Sequence, residues 1–147
     1  MDIRIRTEGK LSPRFRKAAD VLRYKLRDGI DESLDEIKVE AEQNISSKFR
    51  VRTGKGLRTV KIERARIRGR RIFGLVKSVV FYMLFHEKGV MIRPKRKKYL
   101  AIPHPDGTIR YKREVRLPQR QWFKPAWESK IATIRGILGR KIREAFI

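Results

Sequence analysis

The chain has 147 residues, with 39 Lys and Arg against 16 Asp and Glu, and a formal net charge of +23. It contains no Cys and two His, His86 and His104, which excludes thiol catalysis, a disulfide framework and Cys-built zinc clusters. The length fits one domain, 1–147, and 40% apolar residues suit a globular chain rather than a disordered one. No apolar run approaches the roughly 20 residues of a membrane span, and Met1-Asp2-Ile3-Arg4 lacks the basic-then-apolar order of a signal peptide. The expected setting is the cytosol or an assembly built there.

Residues 2–7 alternate, with Ile3 and Ile5 on one side and Arg4 and Arg6 on the other, which predicts a short strand. Ser12-Pro13 reads as N-cap and first helical residue. Phe15, Ala19, Leu22 and Leu26 follow at helical spacing. The stripe resumes after Gly29 through Ile30, Leu34, Ile37, Ala41 and Ile45, so Gly29 either kinks one long helix or separates two. Asp31, Glu32, Asp35, Glu36, Glu40 and Glu42 share the polar side of the second stretch, as a solvated face or as an interface for a basic neighbour.

Thr53 to Gly56 reads as a turn. Val60, Ile62, Ala65, Ile67, Ile72 and Val76 then sit among Arg64, Arg66, Arg68, Arg70 and Arg71, predicting a long hairpin with a basic tip at Gly69. Val79 to Phe85 is an apolar-aromatic run that fits a buried strand or a short core helix. A second basic run, Arg93 and Lys95 to Lys98, precedes a strand over 99–103, a turn over 105–108 and a returning strand over 109–117. Pro125 opens a final helix whose apolar stripe is Trp127, Ile131, Ile134, Leu138 and Ile142. Long helix, antiparallel strands and final helix make an α+β domain, with two helices packed on an antiparallel sheet that carries extended basic hairpins.

Charge divides this domain unevenly. Residues 1–48, the short strand plus the long helical part, carry 11 Lys or Arg and 10 Asp or Glu. Residues 49–147, the basic sheet part with the C-terminal helix, carry 28 and 6, so +22 of the +23 lies there. Arrays such as Arg64–Arg68 and Lys95–Lys98 attract a phosphate backbone through counterion release without reading its sequence. A surface that only keeps the protein soluble is the plainer alternative.

Catalytic signatures are weak. His86-Glu87 lacks the second His four residues on that a zinc protease needs, and Gly54 and Gly56 lack the Lys-Ser/Thr of a phosphate loop. The carboxylates after residue 49 are few and do not cluster as a two-metal nuclease requires. A small basic nuclease using His86, Glu87 or His104 is the distant third reading. No enzymatic activity, metal or cofactor is expected.

The order of short motifs goes further. Thr53-Gly54, with Leu57 three residues on, follows the long helix. Tyr82, Glu87 and Gly89 form a Tyr-then-Glu-x-Gly element, with Lys88 where an aromatic is usual. Ile92-Arg93-Pro94-Lys95 to Ile102-Pro103 looks like an insertion before a hairpin. Pro118, Arg120, Phe123, Pro125 and Ala126 follow, with Gln121 and Trp122 as departures. In this order the chain resembles the tailed-bacteriophage neck and tail-completion family, which includes minor tail protein Z-like proteins.

The resemblance spans nearly the whole chain. It implies a structural virion protein, assembled in the host cytoplasm and forming a ring, expected to be a hexamer, at the head–tail junction around the DNA channel. Implied partners are other copies of the chain, other neck, tail-terminator or tail-tube proteins, and the DNA passing through, with no membrane. Arg64, Arg66, Arg68, Arg70, Arg71, Arg93, Lys95, Arg96, Lys97 and Lys98 would face DNA or a neighbouring ring. Asp31, Asp35, Glu36, Glu40 and Glu42 would meet basic faces of the next subunit. The alternative is a free-standing, sequence-independent nucleic-acid-binding protein. The motif residues also have plainer roles: a turn at Thr53-Gly54, a positive φ at Gly89, an Arg120–Glu128 pair.

Overall fold

A computed structural model describes residues 13–49, 57–104 and 106–147. The strand expected over residues 3–7, the Ser12 cap and the Thr53-Gly54 turn lie outside the described residues.

Helix α1, Pro13–Lys48, runs unbroken for 36 residues, about 54 Å at 1.5 Å per residue. Its buried line is Leu26, Leu34, Ile37, Ala41 and Ile45, which follows the stripe read from the sequence. Gly29 neither ends nor divides the helix. A Cβ there would lie 3.0 Å from Lys141 Cγ and 3.2 Å from Leu138 Cδ2, so the glycine is the notch through which the last helix passes. Farther back, Phe15 and Ala19 are exposed among the described residues.

That last helix, α3 (Phe123–Glu144), lies antiparallel to α1. Asn44 Nδ2 donates to the Trp122 carbonyl at 3.1 Å, Lys130 reaches Glu36 at 3.0 Å, and Lys25 reaches Glu144 at 3.1 Å, in reverse order along the two helices. The stripe read for α3 is displaced. Ala126 and Ile137 are buried, whereas Trp127 and Ile142 are exposed. The inner line includes Lys130 and Lys141, whose ammonium groups find carboxylates on α1, so charge pairing takes positions that a purely apolar rule assigns elsewhere.

A 3-10 turn, Leu57–Thr59, leads into β1 (Val60–Arg68), which pairs antiparallel with β2 (Arg71–Ser78). This hairpin lies along α1 from its C-terminal end back toward Arg23, whose guanidinium donates to the Gly69 carbonyl at the tip. Val60, Ile62, Ala65 and Ile67 share the inner face with Ile72, Gly74 and Val76. Register shifts between Glu63 and Arg66, so Gly74 alone opposes Arg64 and Ala65. The bulge frees the Ala65 amide, which donates to Asp31 Oδ1 at 2.6 Å, and it turns Arg64 toward Asp35. Gly74 faces Leu34 so closely that a Cβ would fall 2.5 Å from Leu34 Cδ1.

The apolar-aromatic run becomes a short helix, α2 (Tyr82–Lys88). Only Met83 of it is buried, while Phe81 is 74% exposed and Tyr82 and Leu84 also face outward. The sequence reading of this run as a buried strand or core helix is thus corrected at Phe81, Tyr82 and Leu84, which lie on the outer side of a helix only two turns long.

Beyond α2, β3 (Val90–Ile92) pairs with β6 (Val115–Leu117), and β4 (Leu100–Pro103) pairs with β5 (Ile109–Lys112). The single returning strand expected over 109–117 is two strands with different partners. Together they form a stem, β3–β6, and an outer arm, β4–β5, on which every residue of β5 is exposed. The main core gathers at the C-terminal end of α1, where Ala41, Ile45, Val60, Met83, Trp122 and Ala126 meet, flanked by Phe49, Val76, Val80 and Phe123. The α+β expectation therefore holds, with the antiparallel strands of the described residues in three two-stranded sheets.

Candidate functional site

The motif residues of residues 82–126 converge where the end of α1, α2 and the start of α3 meet. Glu87 is the hub. One carboxylate oxygen, Oε2, accepts from the backbone N–H of Trp122 at 2.7 Å and of Phe123 at 3.0 Å. The other, Oε1, accepts from Lys124 N at 2.9 Å. These are amides that a helix start leaves without an internal partner, and Pro125 follows with none to offer. Trp122 supplies no side-chain cap, so a residue 35 positions upstream caps α3 through space and sets a negative charge on its positive end.

Arg120 acts at the opposite pole of another helix. Its Nη1 lies 3.4 Å from the Lys48 carbonyl at the end of α1, and its guanidinium sits 5.9 Å from the centre of the Phe49 ring. Glu128 pairs with Lys124 at 3.8 Å and not with Arg120, which corrects the plainer reading of that residue. Gly89 has φ 69°, and a Cβ there would lie 3.1 Å from both the backbone N and the Cβ of Gln119. Only glycine satisfies both constraints. Gln119 Nε2 donates to the Glu87 carbonyl, and Arg120 N to the His86 carbonyl, so the segment after Pro118 is stitched to α2 by its backbone. Ala126 is fully buried beside Ala41 and Ile45, Tyr82 stands edge-on to His86, and Leu57 opens the 3-10 turn.

His86 packs edge-to-face on Phe49 at 5.0 Å, and its buried Nδ1 has no hydrogen-bond partner among the described residues. Burial, with Arg120 nearby, pushes its pKa below the ordinary 6.5. His104 lies in the β4–β5 turn, 3.5 Å from Asp106. Among the described residues no group of three acids or histidines is placed to hold a metal ion, and no helix is long and apolar enough to cross a membrane.

The acidic residues of α1 from Asp31 to Glu42 have partners within the chain. Asp31 takes the Ala65 amide, and Asp35 pairs with Arg64 at 2.7 Å. Glu36 and Glu40 share Lys130, and the Glu36 hydrogen bond raises the pKa of that ammonium. Glu42 pairs with Lys38 one turn back, and Glu32 bridges Arg140 and Lys141. This side of α1 is the bed for α3 and the hairpin, and Asp35, Glu36 and Glu32 remain partly solvated at its edges.

The cations divide into two groups. Arg64 leaves the strand alternation at the bulge, so an unbroken Arg64–Arg66–Arg68 row does not form. The outer face of β1–β2 instead carries Lys61, Arg66, Arg68, Arg71 and Lys77, all exposed, with Glu63 as its one acid. Glu63 is held by Lys77, whose hydrogen bond keeps its carboxyl below the usual range. Arg70 stands at the tip. Between β3 and β4, Arg93 pairs with Glu114 at 3.1 Å, Lys98 lies over the Tyr99 ring, and Lys95, Arg96 and Lys97 are exposed with no acidic partner among the described residues.

Two features escaped the sequence reading. Phe73 and Leu75, 47% and 48% exposed, lie among the cations of the β1–β2 outer face. Tyr111 and Ile109 stand exposed on one face of the outer arm. Strand parity carried the first signal, since Phe73 and Leu75 alternate in step with Arg71 and Lys77 and out of step with Ile72 and Val76. Compared with known proteins, the chain matches no protein-family model, no curated sequence and no solved structure.

Proposed function

We propose that this chain is a structural virion protein of a tailed phage, a neck or tail-completion component that works as a ring at the head–tail junction around the DNA channel. The observation that carries the reading is the convergence of Tyr82, Glu87, Gly89, Pro118, Arg120, Phe123, Pro125 and Ala126 on one junction. Residues that resemble the family only as scattered short motifs act here as one device, which locks both long helices to α2.

The rest of the surface suits an assembly part. The outer arm presents Ile109 and Tyr111 to solvent, and α2 with its preceding residue presents Leu84 and Phe81. A two-stranded hairpin alone is marginal in water, and covering such faces is what a neighbouring copy would do. With the α1 carboxylates engaged internally, side-to-side contacts would be chiefly apolar, and the surplus cations would face DNA or an acidic ring above or below.

Light scattering of the purified protein at low and high salt, alone and mixed with neck and tail proteins, tests this. A discrete ring, or a monomer that closes into one with a partner, is the expected result. A salt-indifferent monomer that joins no ring with any of them would overturn the reading and leave the free-standing nucleic-acid binder.

A further inference from the structure

We infer that the outer face of the β1–β2 hairpin is a sequence-independent binding face for single-stranded nucleic acid, with Phe73 as the platform on which a base stacks. The inference goes beyond the ring reading and stands whether or not the chain closes into rings.

Like charges sit directly opposite each other on this face. Lys61 faces Lys77 and Arg68 faces Arg71 across the ladder, an arrangement that destabilises a sheet when nothing offsets it. Local acid offsets it at Lys77 alone, and leaves the Arg68–Arg71 pair unrelieved. Glu63 is taken by Lys77, and Asp31 and Asp35 lie against the other side of the hairpin. The hairpin nevertheless holds five cations on a ribbon about 24 Å long from Lys61 to Arg68, at roughly 3.4 Å per residue. A chain of phosphates supplies the missing counter-charge along that length.

Phe73 chooses among anions. It lies opposite Arg66, with the Arg68 guanidinium 6.0 Å from its ring centre, and nearly half of it is exposed while the next inward positions, Ile72 and Val76, are partly buried. An acidic protein surface gives such a ring nothing specific. A paired duplex hides its base faces. An unpaired base offers a π-face at the spacing of its own phosphates, and cations with an interleaved aromatic are how single strands are held without sequence preference.

Fluorescence anisotropy with a labelled oligo-dT, the same-length duplex and polyglutamate, at 50 to 200 mM salt, tests it. Oligo-dT should bind tighter than the duplex and far tighter than polyglutamate, with affinity falling steeply as salt rises. Phe73→Ala should weaken oligo-dT about tenfold without changing the salt slope, and Phe73→Trp should restore it. The triple variant Arg66→Ala, Arg68→Ala, Arg71→Ala should lower the salt slope by about two, at roughly 0.7 for each phosphate left unneutralised. These positions face outward, so the melt of Phe73→Ala should stay close to the parent's and that of the triple variant, relieved of the Arg68–Arg71 repulsion, should lie at or above it, showing that the fold is intact. Phe73→Ala without effect, equal binding of polyglutamate, or loss of binding only when Lys95, Arg96 and Lys97 are changed would each overturn the inference.

Discussion

Replacing Glu87 with Ala removes the cap of α3 and should unfold the chain markedly more easily. Three backbone amides lose their acceptor at once. Those of Trp122 and Phe123 are partly buried, and an amide left unsatisfied there costs about 1–3 kcal/mol. Lys124 N is exposed, and water replaces most of its bond. Loss of the charge at the helix start adds about 0.5 kcal/mol. With both amides taken near the lower end, because they are only partly buried, the sum is about 3 kcal/mol, or about 10 °C in Tm for a domain of this length. Urea unfolding followed by the fluorescence of buried Trp122 reads the change directly. Glu87→Gln keeps one acceptor oxygen and should lose about half as much. Glu114→Ala, which breaks an exposed pair with Arg93, should cost under about 0.5 kcal/mol. A Glu87→Ala midpoint within about 2 °C of the parent would refute the capping account and free Glu87 for a chemical role.

Gly89→Ala should cost about 2 kcal/mol or more in the same assay, since it meets a positive φ and the Gln119 backbone together. Gly74→Ala should cost about 1–3 kcal/mol by driving into Leu34, and combined with Leu34→Ala it should cost at least about 1 kcal/mol less than the sum of the two. For His86 the sign follows from its lowered pKa. Below about pH 6.5 the unfolded chain binds a proton that the folded chain resists, so stability falls as pH drops from 7 toward 5, and His86→Phe should flatten that slope in melts across the window. Phe81→Asp should leave the monomer's melting within about 0.5 kcal/mol, because the ring is solvent-exposed, yet abolish ring closure in light scattering.

Periodicity made the elements legible where one face is apolar and one is not. Leu34 to Ile45 spell out the inner line of α1, and Val60 to Ile67 that of β1. Ambiguity arose where a partner decides. Gly29 lowers helix propensity in any context, and only the passage of Lys141 and Leu138 explains why a glycine stands in an unbroken helix. Residues 109–117 read as one strand because nothing local reveals that the stretch serves two different partners. The candidate site was legible as composition and not as geometry. Counting charges located the basic half, but the bulge that removes Arg64 from the outer face depends on Asp31 and Asp35, more than 25 residues away. Glu87 was visible as a motif letter, while its work depends on three amides in another segment.

The internal use of the α1 carboxylates changes how the net charge should be understood. A basic chain whose acids were free could neutralise itself in an oligomer, acid face to basic face. Here Asp31, Asp35, Glu36, Glu40 and Glu42 are already bound to their own amides and cations, so a second copy brings mostly more positive charge. At about 0.15 M salt, repulsion between exposed charges fades beyond about 8 Å, so copies can still associate through apolar patches that keep the cationic faces farther apart than that. Phe81 and Leu84 at α2, and Tyr111 and Ile109 on the arm, are apolar patches of that kind. The cationic outer face of β1–β2 is then left for a ligand that is neither this chain nor any surface lacking strong negative charge. On the proposed reading, assembly and anion binding would use different faces, and salt should separate them: high salt should strengthen apolar association between like-charged copies while it releases the anion.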